Sequence, residues 1–388
     1  MTSRSALLNI KGWQTLSGAD TVDRLRRVTS IHPRSIWTND GRLSPLDLYC
    51  YLKARFGQPN GPAMALKAPH ADNLIHWEFA FAVGESMLLV QGNIHSVVFI
   101  LIGPDRVSED LWREIAEAIK ADFKNYGHQM SAVRKNLEKW ILFINPYHRL
   151  NRVVQVLESR LRELDLTEPP PSPHVGNKTK LRKAWGRTRH WITQVNECHL
   201  LATAARMFAP VLGEAFINLV IFLLARPDVR SDPRVYEDFI RKQVDIRVKT
   251  LHLHCSEFTK AVDTSSKCFG DFHSVMNSRN DFLHGNVDPL KLQFGDVQFD
   301  SMIPLFKDED STLRRFVRNS LKGVTREEAL ADIAAVRAFI TFLLQHLTPD
   351  GRKTVEIAME RGQLGWREDY SRVGILFPAV IPDFVEIL

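Results

Sequence analysis

The stretch LIHWEFAFAVGESMLLVQGNIHSVVFILI, residues 74–102, decides the fold class of the first half of the chain. Apolar and aromatic residues fill three short runs, which cover residues 75–81, 87–90 and 96–102. Turn-forming residues around Gly84 and Gly92 separate the runs. Short β-rich runs divided by glycine turns are typical of an antiparallel meander. We therefore predict three paired strands here.

Helices are predicted on both sides of the meander. Ser44 followed by Pro45 is an N-cap with proline at the first helical position, and this helix is expected to stop at Gly57. Ser108 is a second N-cap, after the third run. Further helices are expected over residues 131–144 and 147–164. With an irregular and partly helical segment over residues 1–60, these elements predict a small α+β domain over residues 61–166.

The prolines between residues 169 and 173 mark a linker, placed at residues 167–178, because consecutive prolines hold the backbone extended and unpaired. Everything from there to Pro349 has a helical pattern, with helices expected over residues 214–224, 233–258 and 266–284. A capping box opens a last helix, in which Thr325 and Glu328 cap each other. The buried face of that helix is expected to carry Ile333, Val336, Ile340, Leu343 and Leu347.

The expected fold is thus an α+β N-terminal domain followed by an all-α helical bundle, mainly α overall. The bundle is placed at residues 179–350. The tail, residues 351–388, has no assignable pattern.

The positive charge of the chain is concentrated at the start of the bundle. The net charge is +6, and residues 178–189 hold six cations and no acid. Such a patch suits a polyanion such as RNA, or it is the solvated side of a linker or helix. The candidate RNA-binding residues are Lys178, Lys180, Arg182, Lys183, Arg187 and Arg189.

The four cysteines are scattered and form no C-x-x-C pair, which indicates reduced thiols and a cytoplasmic protein without a cysteine-held metal. The N-terminus lacks the apolar run of a secretory signal. One apolar segment, residues 207–225, is interrupted by Pro210, Gly213, Glu214 and Asn218. We interpret this segment as a buried core helix and expect no membrane association.

The sequence RNDFLHGN at residues 279–286 is the strongest candidate for chemistry. Histidine titrates near neutrality and can take the proton of a ribose 2′-hydroxyl. Arginine stays charged, and its planar fork matches phosphate oxygens. Two other R-x4-H pairs, at residues 27–32 and 247–252, lack the polar residue after the arginine or the helical context. We expect Arg279 and His284 to be the catalytic pair, with Asn280 orienting the histidine or holding a phosphate.

This segment resembles the R-x4-6-H motif of the HEPN superfamily, over a region of residues 181–347. The resemblance implies a metal-independent and cofactor-free endoribonuclease, which leaves a 2′,3′-cyclic phosphate and a 5′-hydroxyl. It also implies a homodimer, and a role as a toxin or antiviral abortive-infection effector that its N-terminal domain regulates through a trigger ligand or an antitoxin. The alternative is a catalytically silent dimerisation or nucleic-acid-binding scaffold. Glu214 and Asp281 are expected to support the catalytic residues, or Glu214 is a paired core acid.

The spacing of the motif raises a geometric difficulty. At about 100° per residue, Arg279 and His284 lie roughly 140° apart on a regular helix. Two solutions are open. Either Gly285 unwinds the helix end and brings His284 round, or two chains supply the pair to each other.

Overall fold

The structure is a computed structural model of this chain, and it describes residues 3–28, 34–67, 73–93, 95–104, 106–166, 178–285, 287, 289–290, 293–306, 312–367 and 372–376. Helix accounts for 61% of the chain. The fold class is as predicted: an N-terminal α+β region with an antiparallel sheet precedes a mainly helical region.

The α+β region contains ten helices and strands of regular structure along its described residues. They are α1 (Ser3–Leu8), β1 (Gln14–Thr15), α2 (Gly18–Val28), β2 (Arg34–Thr38), α3 (Pro45–Phe56), β3 (Trp77–Val83), β4 (Ser86–Gly92), β5 (Val97–Ile102), α4 (Glu109–Asp122) and α5 (Gly127–Lys135).

The rest of the chain is mainly helical. Its elements are β6 (Ile141–Ile144), α6 (Pro146–Glu163), α7 (Lys178–Leu224), α8 (Pro227–Ser231), α9 (Pro233–Arg241), α10 (Val244–His254), α11 (Lys267–His284), β7 (Val297–Asp300), β8 (Ile303–Phe306), α12 (Thr312–Leu321), α13 (Arg326–Leu344), α14 (Pro349–Met359), β9 (Gln363–Arg367) and β10 (Arg372–Gly374).

The chain forms two compact units, of residues 1–141 with 365–388 and of residues 142–364. These bounds differ from the predicted domains. Helix α6 was predicted with the α+β domain, but it belongs to the second unit, where it packs along α7. The tail contributes α14 to the second unit and β10 to the first. The proline linker lies outside the described residues.

The predicted meander is confirmed as β3, β4 and β5, which pair antiparallel in sequence order. Two strands from the first sixty residues complete the sheet, whose order is β1-β3-β4-β5-β2. The expectation that those residues are only irregular and helical was therefore wrong. One sheet face buries Phe79, Phe81 and Phe99 among aromatic and aliphatic side chains, and the other buries Ala80 and Met87.

The predicted caps are confirmed. Ser44 accepts from the Asp47 backbone N–H at 3.4 Å, and Ser108 accepts from the Leu111 N–H at 3.3 Å. Thr325 and Glu328 form the predicted capping box at the start of α13. The five apolar residues predicted for the buried face of this helix are all buried, but Leu347 lies beyond its end at Leu344, and α14 follows it.

Several predicted helix boundaries were wrong. Helix α5 ends at Lys135, and residues 141–144 form strand β6 instead of continuing the helix. The helix predicted at residues 214–224 is the last quarter of α7, which begins at Lys178 and runs through Pro210. The helix predicted over residues 233–258 is interrupted because Lys242 and Gln243 adopt extended backbone, so that α9 and α10 are separate.

Strands β7 and β8 contradict the expectation of helix throughout residues 179–349. They form a hairpin whose turn residues are Ser301 and Met302. Ser301 has φ 58°, a conformation that glycine usually supplies at such turns. The hairpin therefore lacks the glycine that marks a turn in a sequence.

Helix α7 is the core of the second unit, packed by α6, α11 and α13. Among the described residues it is the one helix whose length and apolar composition would allow it to cross a membrane. Of its most apolar 18-residue stretch, 61% is buried in the protein. Phe216 on α7 packs against Tyr147, with ring centroids 5.7 Å apart. This burial supports the predicted core helix.

Candidate active site

Helix α11 carries the RNDFLHGN motif and ends where the sequence predicts. His284 is its last residue, and Gly285 follows with φ 58°, the left-handed conformation typical of a residue that ends a helix. The backbone stays helical through His284. Gly285 therefore does not unwind the helix before His284, and the roughly 140° between Arg279 and His284 stands.

Arg279 faces the protein interior, toward α7. Its Nη1 lies 3.6 Å from Oε2 of Glu214, and its side chain is 20% exposed. Glu214 is thus a partner of Arg279, one of the two roles predicted for it.

Gly213 is the reason that α11 approaches α7 so closely at this point. A Cβ built on Gly213 would lie 2.4 Å from Cε2 of Phe272, an α11 residue. The Phe272 ring fills that space and stacks on Phe339 of α13, with centroids 4.0 Å apart and planes 4° apart. Because Gly213 has no side chain, the two helices come close enough for Glu214, the next residue on α7, to pair with Arg279.

Glu214 has a second arginine partner, which the sequence did not predict. Arg247 on α10 forms an ion pair with Oε1 of Glu214, and its side chain is only 4% exposed. It also donates to Oδ1 of Asn218 at 2.6 Å. Because Glu214 and Asn218 are four residues apart on α7, they share a face. This polar pair within an apolar helix was the signal that a cation had to lie opposite.

The resulting cluster holds more positive than negative charge. One carboxylate, Glu214, serves the guanidinium groups of both Arg247 and Arg279. The Nε atoms of these two arginines are buried, and neither has a hydrogen-bond partner in the described part of the chain. A buried charge without a full partner is costly, so the cluster favours the approach of an anion. The cluster opens to solvent at Glu214, which is 29% exposed, and at Asn218, which is exposed.

His284 lies on the other side of α11 and is exposed. It belongs to a strip of four exposed residues with spacings of four, three and four, which places them within an arc of roughly 60°. The four are His273, Asn277, Asn280 and His284. Asn277 Nδ2 lies 3.2 Å from His273 Nδ1. The shared face of Asn280 and His284 is confirmed, whereas no motif in the sequence points to the other two. The side chain of Asp281 lies outside the described residues.

Within one chain, therefore, the predicted catalytic pair is divided between two faces of α11. Arg279 shares the inner face with Phe272, while His284 shares the solvent face with Asn280. Of the two solutions that the motif spacing left open, unwinding of the helix end by Gly285 is not observed.

The basic stretch forms the first turns of α7. Arg182, Lys183, Arg187 and Arg189 are exposed, whereas Ala184, Thr188 and Trp191 on the opposite side of the helix are buried. The side chains of Lys178 and Lys180 lie outside the described residues. The described cations therefore form the solvent face of a helix.

No group of three or more histidine, cysteine or acidic side chains that could hold a metal occurs among the described residues. The four cysteines are free thiols. Burial raises the pKa of the Cys255 thiol to about 12, so that this side chain is held in its protonated form.

Comparisons with known protein-family models, with curated proteins and with solved structures find no match to this chain.

Proposed function

We propose that this chain is a metal-independent endoribonuclease of the HEPN type, which acts as a homodimer. The observation that carries the proposal is the cluster beneath α11, where Arg279 is held by Glu214 within a site that has one more cation than anion. A fixed, partly exposed guanidinium suits a phosphate that gains charge during a reaction. On the same helix end, exposed His284 supplies an imidazole, a side chain that commonly acts as a general base.

The proposed reaction uses only groups of the protein and of RNA. His284 of one chain takes the proton of the 2′-hydroxyl, and O2′ attacks the adjacent phosphorus. The bond to the 5′-oxygen breaks, and this oxygen receives the proton that His284 took from the 2′-hydroxyl. The products are a 2′,3′-cyclic phosphate and a 5′-hydroxyl. Arg279 of the second chain stabilises the charge on the phosphate in flight.

Glu214 and Arg247 have a positioning role in this proposal. Glu214 restrains Arg279, and Arg247 restrains Glu214 through the ion pair at its other oxygen. Side chains that are held in place before the reaction need not rearrange during it. This preorganisation is the main source of electrostatic catalysis.

A catalytically silent scaffold is the second candidate. The ion pair of Arg279 with Glu214 favours it, because a structural arginine makes the same contact. A role as a toxin or antiviral effector with a regulatory N-terminal unit stays a prediction from the resemblance.

The first test is cleavage of RNA by the purified full chain in the presence of EDTA, with the product ends identified by mass spectrometry. We expect cyclic phosphate ends, and a loss of about 10²–10⁴-fold in rate for His284→Ala. The matched control is His273→Ala, which removes an exposed histidine from the same strip of α11. Cleavage by His284→Ala at the wild-type rate would refute the assigned site.

Mixing two inactive variants tests the shared site. Chains with Arg279→Ala and chains with His284→Ala each lack one group, but a mixed dimer contains one site with both. Partial recovery of cleavage on mixing is expected. Full specific activity of a preparation shown by light scattering to be monomeric contradicts the two-chain site.

The basic face of α7 is proposed to bind the RNA backbone. Neutralising Arg182, Lys183 and Arg187 to glutamine is expected to weaken RNA binding and to reduce the slope of log affinity against log salt by about 0.7 per lost contact with a single strand. Neutralising Lys249 and Lys353, exposed cations on α10 and α14, is the control. An unchanged slope in the first variant shows that this face is only solvated.

A further inference from the structure

The basic turns of α7 carry an exposed tryptophan. All eight tryptophans of the chain lie in its described part, and Trp185, at 61%, is the one that is exposed. Tryptophan side chains are highly buried on average. Trp191, six residues further along the same helix, is only 7% exposed. Packing within the protein therefore accounts for Trp191 but not for Trp185.

Helical spacing places an arginine on each side of Trp185. Arg182 lies three residues before it and Arg189 four residues after it, and residues at these spacings are neighbours on a helix surface. Both arginines are exposed. Gly186 completes the group, since it is four residues after Arg182 and three before Arg189. We name Arg182, Trp185, Gly186 and Arg189 the tryptophan patch.

The patch is open to a ligand. A Cβ built on Gly186 would meet nothing within 4 Å, so that no described residue covers the patch at this point. The two arginines are about 10.5 Å apart along the helix axis, at about 1.5 Å per residue. Because arginine side chains are long, a flat group on the indole of Trp185 would have a guanidinium within reach on either side.

The charge around the patch favours an anionic partner. Residues 182–193 include four lysines and arginines and no acid, which suits a polyanion. An anionic membrane would also meet these charges, but a helix that lies in a membrane surface presents a broad apolar face. Trp185 is the one large apolar side chain that is exposed between residues 182 and 193. The surface therefore fits a nucleic acid better than a membrane.

Nucleic acids supply both of the groups that the patch can bind, phosphates and flat bases. In a duplex the bases stack on one another, whereas an unpaired base can stack on an aromatic side chain. We propose that the tryptophan patch binds single-stranded RNA. One unpaired base stacks on Trp185, and Arg182 and Arg189 hold the phosphates on either side of it. The inference rests on the proposed function and deepens it, because it names the class of RNA that the nuclease takes.

The first experiment measures binding of a single-stranded 2′-O-methyl oligoribonucleotide to the full chain by fluorescence anisotropy. This probe has bases and phosphates but no free 2′-hydroxyl, so that binding is measured without cleavage. Trp185→Ala is expected to weaken binding about 5- to 150-fold, the effect of losing one stacked base. Trp185→Phe keeps an aromatic ring and should retain most of the affinity.

Leu200→Ala is the matched control for this experiment. Leu200 is 67% exposed on the same helix, outside the basic stretch, and its removal should leave binding unchanged. A wild type that does not bind the strand overturns the proposal. So does a Trp185→Ala variant that binds as tightly as the wild type.

A second experiment separates stacking from charge. On a strand whose bases are replaced by abasic sites, Trp185→Ala should bind as tightly as the wild type, because no base is left to stack. On the intact strand, Trp185→Ala should keep the wild-type slope of log affinity against log salt. Arg182→Gln with Arg189→Gln should reduce that slope by about 0.7 per lost contact. An equal loss of affinity by Trp185→Ala on the intact and abasic strands shows that Trp185 does not stack on a base.

Two further probes test the class of partner. A fully paired duplex of the same sequence should bind more weakly than the single strand, and Trp185→Ala should not change its affinity. An equal effect of Trp185→Ala on duplex and single strand refutes the preference for unpaired RNA. Vesicles that contain phosphatidylserine test the membrane. If Trp185→Ala loses vesicle binding but keeps the affinity for the strand, the patch binds membranes and the proposal is wrong.

This proposal and the proposed active site can fail separately. If Trp185→Ala weakens binding of the strand while His284→Ala cleaves RNA at the wild-type rate, the patch is supported and the active site is refuted. If Trp185→Ala binds the strand as the wild type does while His284→Ala has lost cleavage, the active site is supported and the patch is refuted.

Discussion

Two buried arginines, Arg55 in the first unit and Arg247 in the second, have different partners. Arg55 is 7% exposed and forms an ion pair with Asp122, which is 11% exposed. Its Nη2 donates to the carbonyl of Ile10 at 2.9 Å. The hydroxyl of Tyr51 donates to the same carboxylate at 2.7 Å. One cation faces one anion, and the remaining polar atoms are satisfied from the surrounding core.

The pKa of the Asp122 carboxyl reflects these contacts. Burial opposes the charged form, but hydrogen bonds from Tyr51 and Asn125 and the charge of Arg55 outweigh it, and the pKa of Asp122 is lowered. Aromatic rings enclose the guanidinium, with Phe56 at 4.8 Å and Tyr126 at 5.3 Å from its carbon. The charges of Arg55 and Asp122 balance, so that this pair offers an anion no excess positive charge.

The cluster around Arg247 is neither balanced nor closed. Glu214 is divided between two guanidinium groups, is 29% exposed, and has exposed Asn218 beside it. The comparison shows that burial of an arginine does not by itself indicate function. The ratio of cations to anions and the opening to solvent distinguish the site that can accept an anion from the one that only stabilises the fold.

The largest expected effect on stability concerns the closed cluster. Asp122→Ala leaves the Arg55 charge buried without its partner, and we expect a loss of about 3–5 kcal/mol in the free energy of unfolding. Chemical denaturation followed by tryptophan fluorescence measures it. Glu117→Ala is the control, because Glu117 lies on the same helix but forms an exposed pair with Arg42. RNA cleavage per folded molecule should stay at the wild-type level. A loss of cleavage would show that the first cluster also serves the site.

Arg247→Met is expected to cost less, about 1.5–3 kcal/mol for its charged hydrogen bonds, because Glu214 keeps Arg279 as a partner. The rate constant for cleavage should fall while the KM for RNA changes little. Arg247→Lys keeps the charge without the planar fork and should restore part of the rate. If Arg247→Met destabilises as strongly as Asp122→Ala and leaves cleavage intact, both clusters are structural and the contrast between them fails.

Gly213→Ala tests the close approach of α11 to α7. The new methyl group meets the Phe272 ring, and we expect a loss of about 1–3 kcal/mol from overpacking, together with slower cleavage as Arg279 moves from Glu214. Gly186→Ala on the same helix is the control. A Cβ there would meet nothing within 4 Å, so that alanine should stabilise the helix by up to about 1 kcal/mol. Equal stability of the two variants would show that the helices are not held by this contact.

Much of the local structure followed from the sequence alone. The caps at Ser44, Ser108 and Thr325 and the three strands of the meander were predicted correctly, as was the end of α11 before Gly285. Each depends on residues that are only a few positions apart. Backbone hydrogen bonds at a helix end or a tight turn are decided by such neighbours.

The contacts between segments that are far apart in the sequence are visible only in the tertiary structure. Strand β2 completes the sheet by pairing with β5, some sixty residues later, and no local pattern at residues 34–38 names that partner. Arg247 and Glu214 are 33 residues apart, and the R-x4-H pair at residues 247–252 lacks the polar residue after the arginine that the motif requires. The helix that carries Arg279 and His284 could be assigned from its local pattern. Only packing decided that Arg279 faces a shared carboxylate while His284 faces solvent, because helices α7, α10 and α11 meet through apolar contacts to which many residues contribute at once.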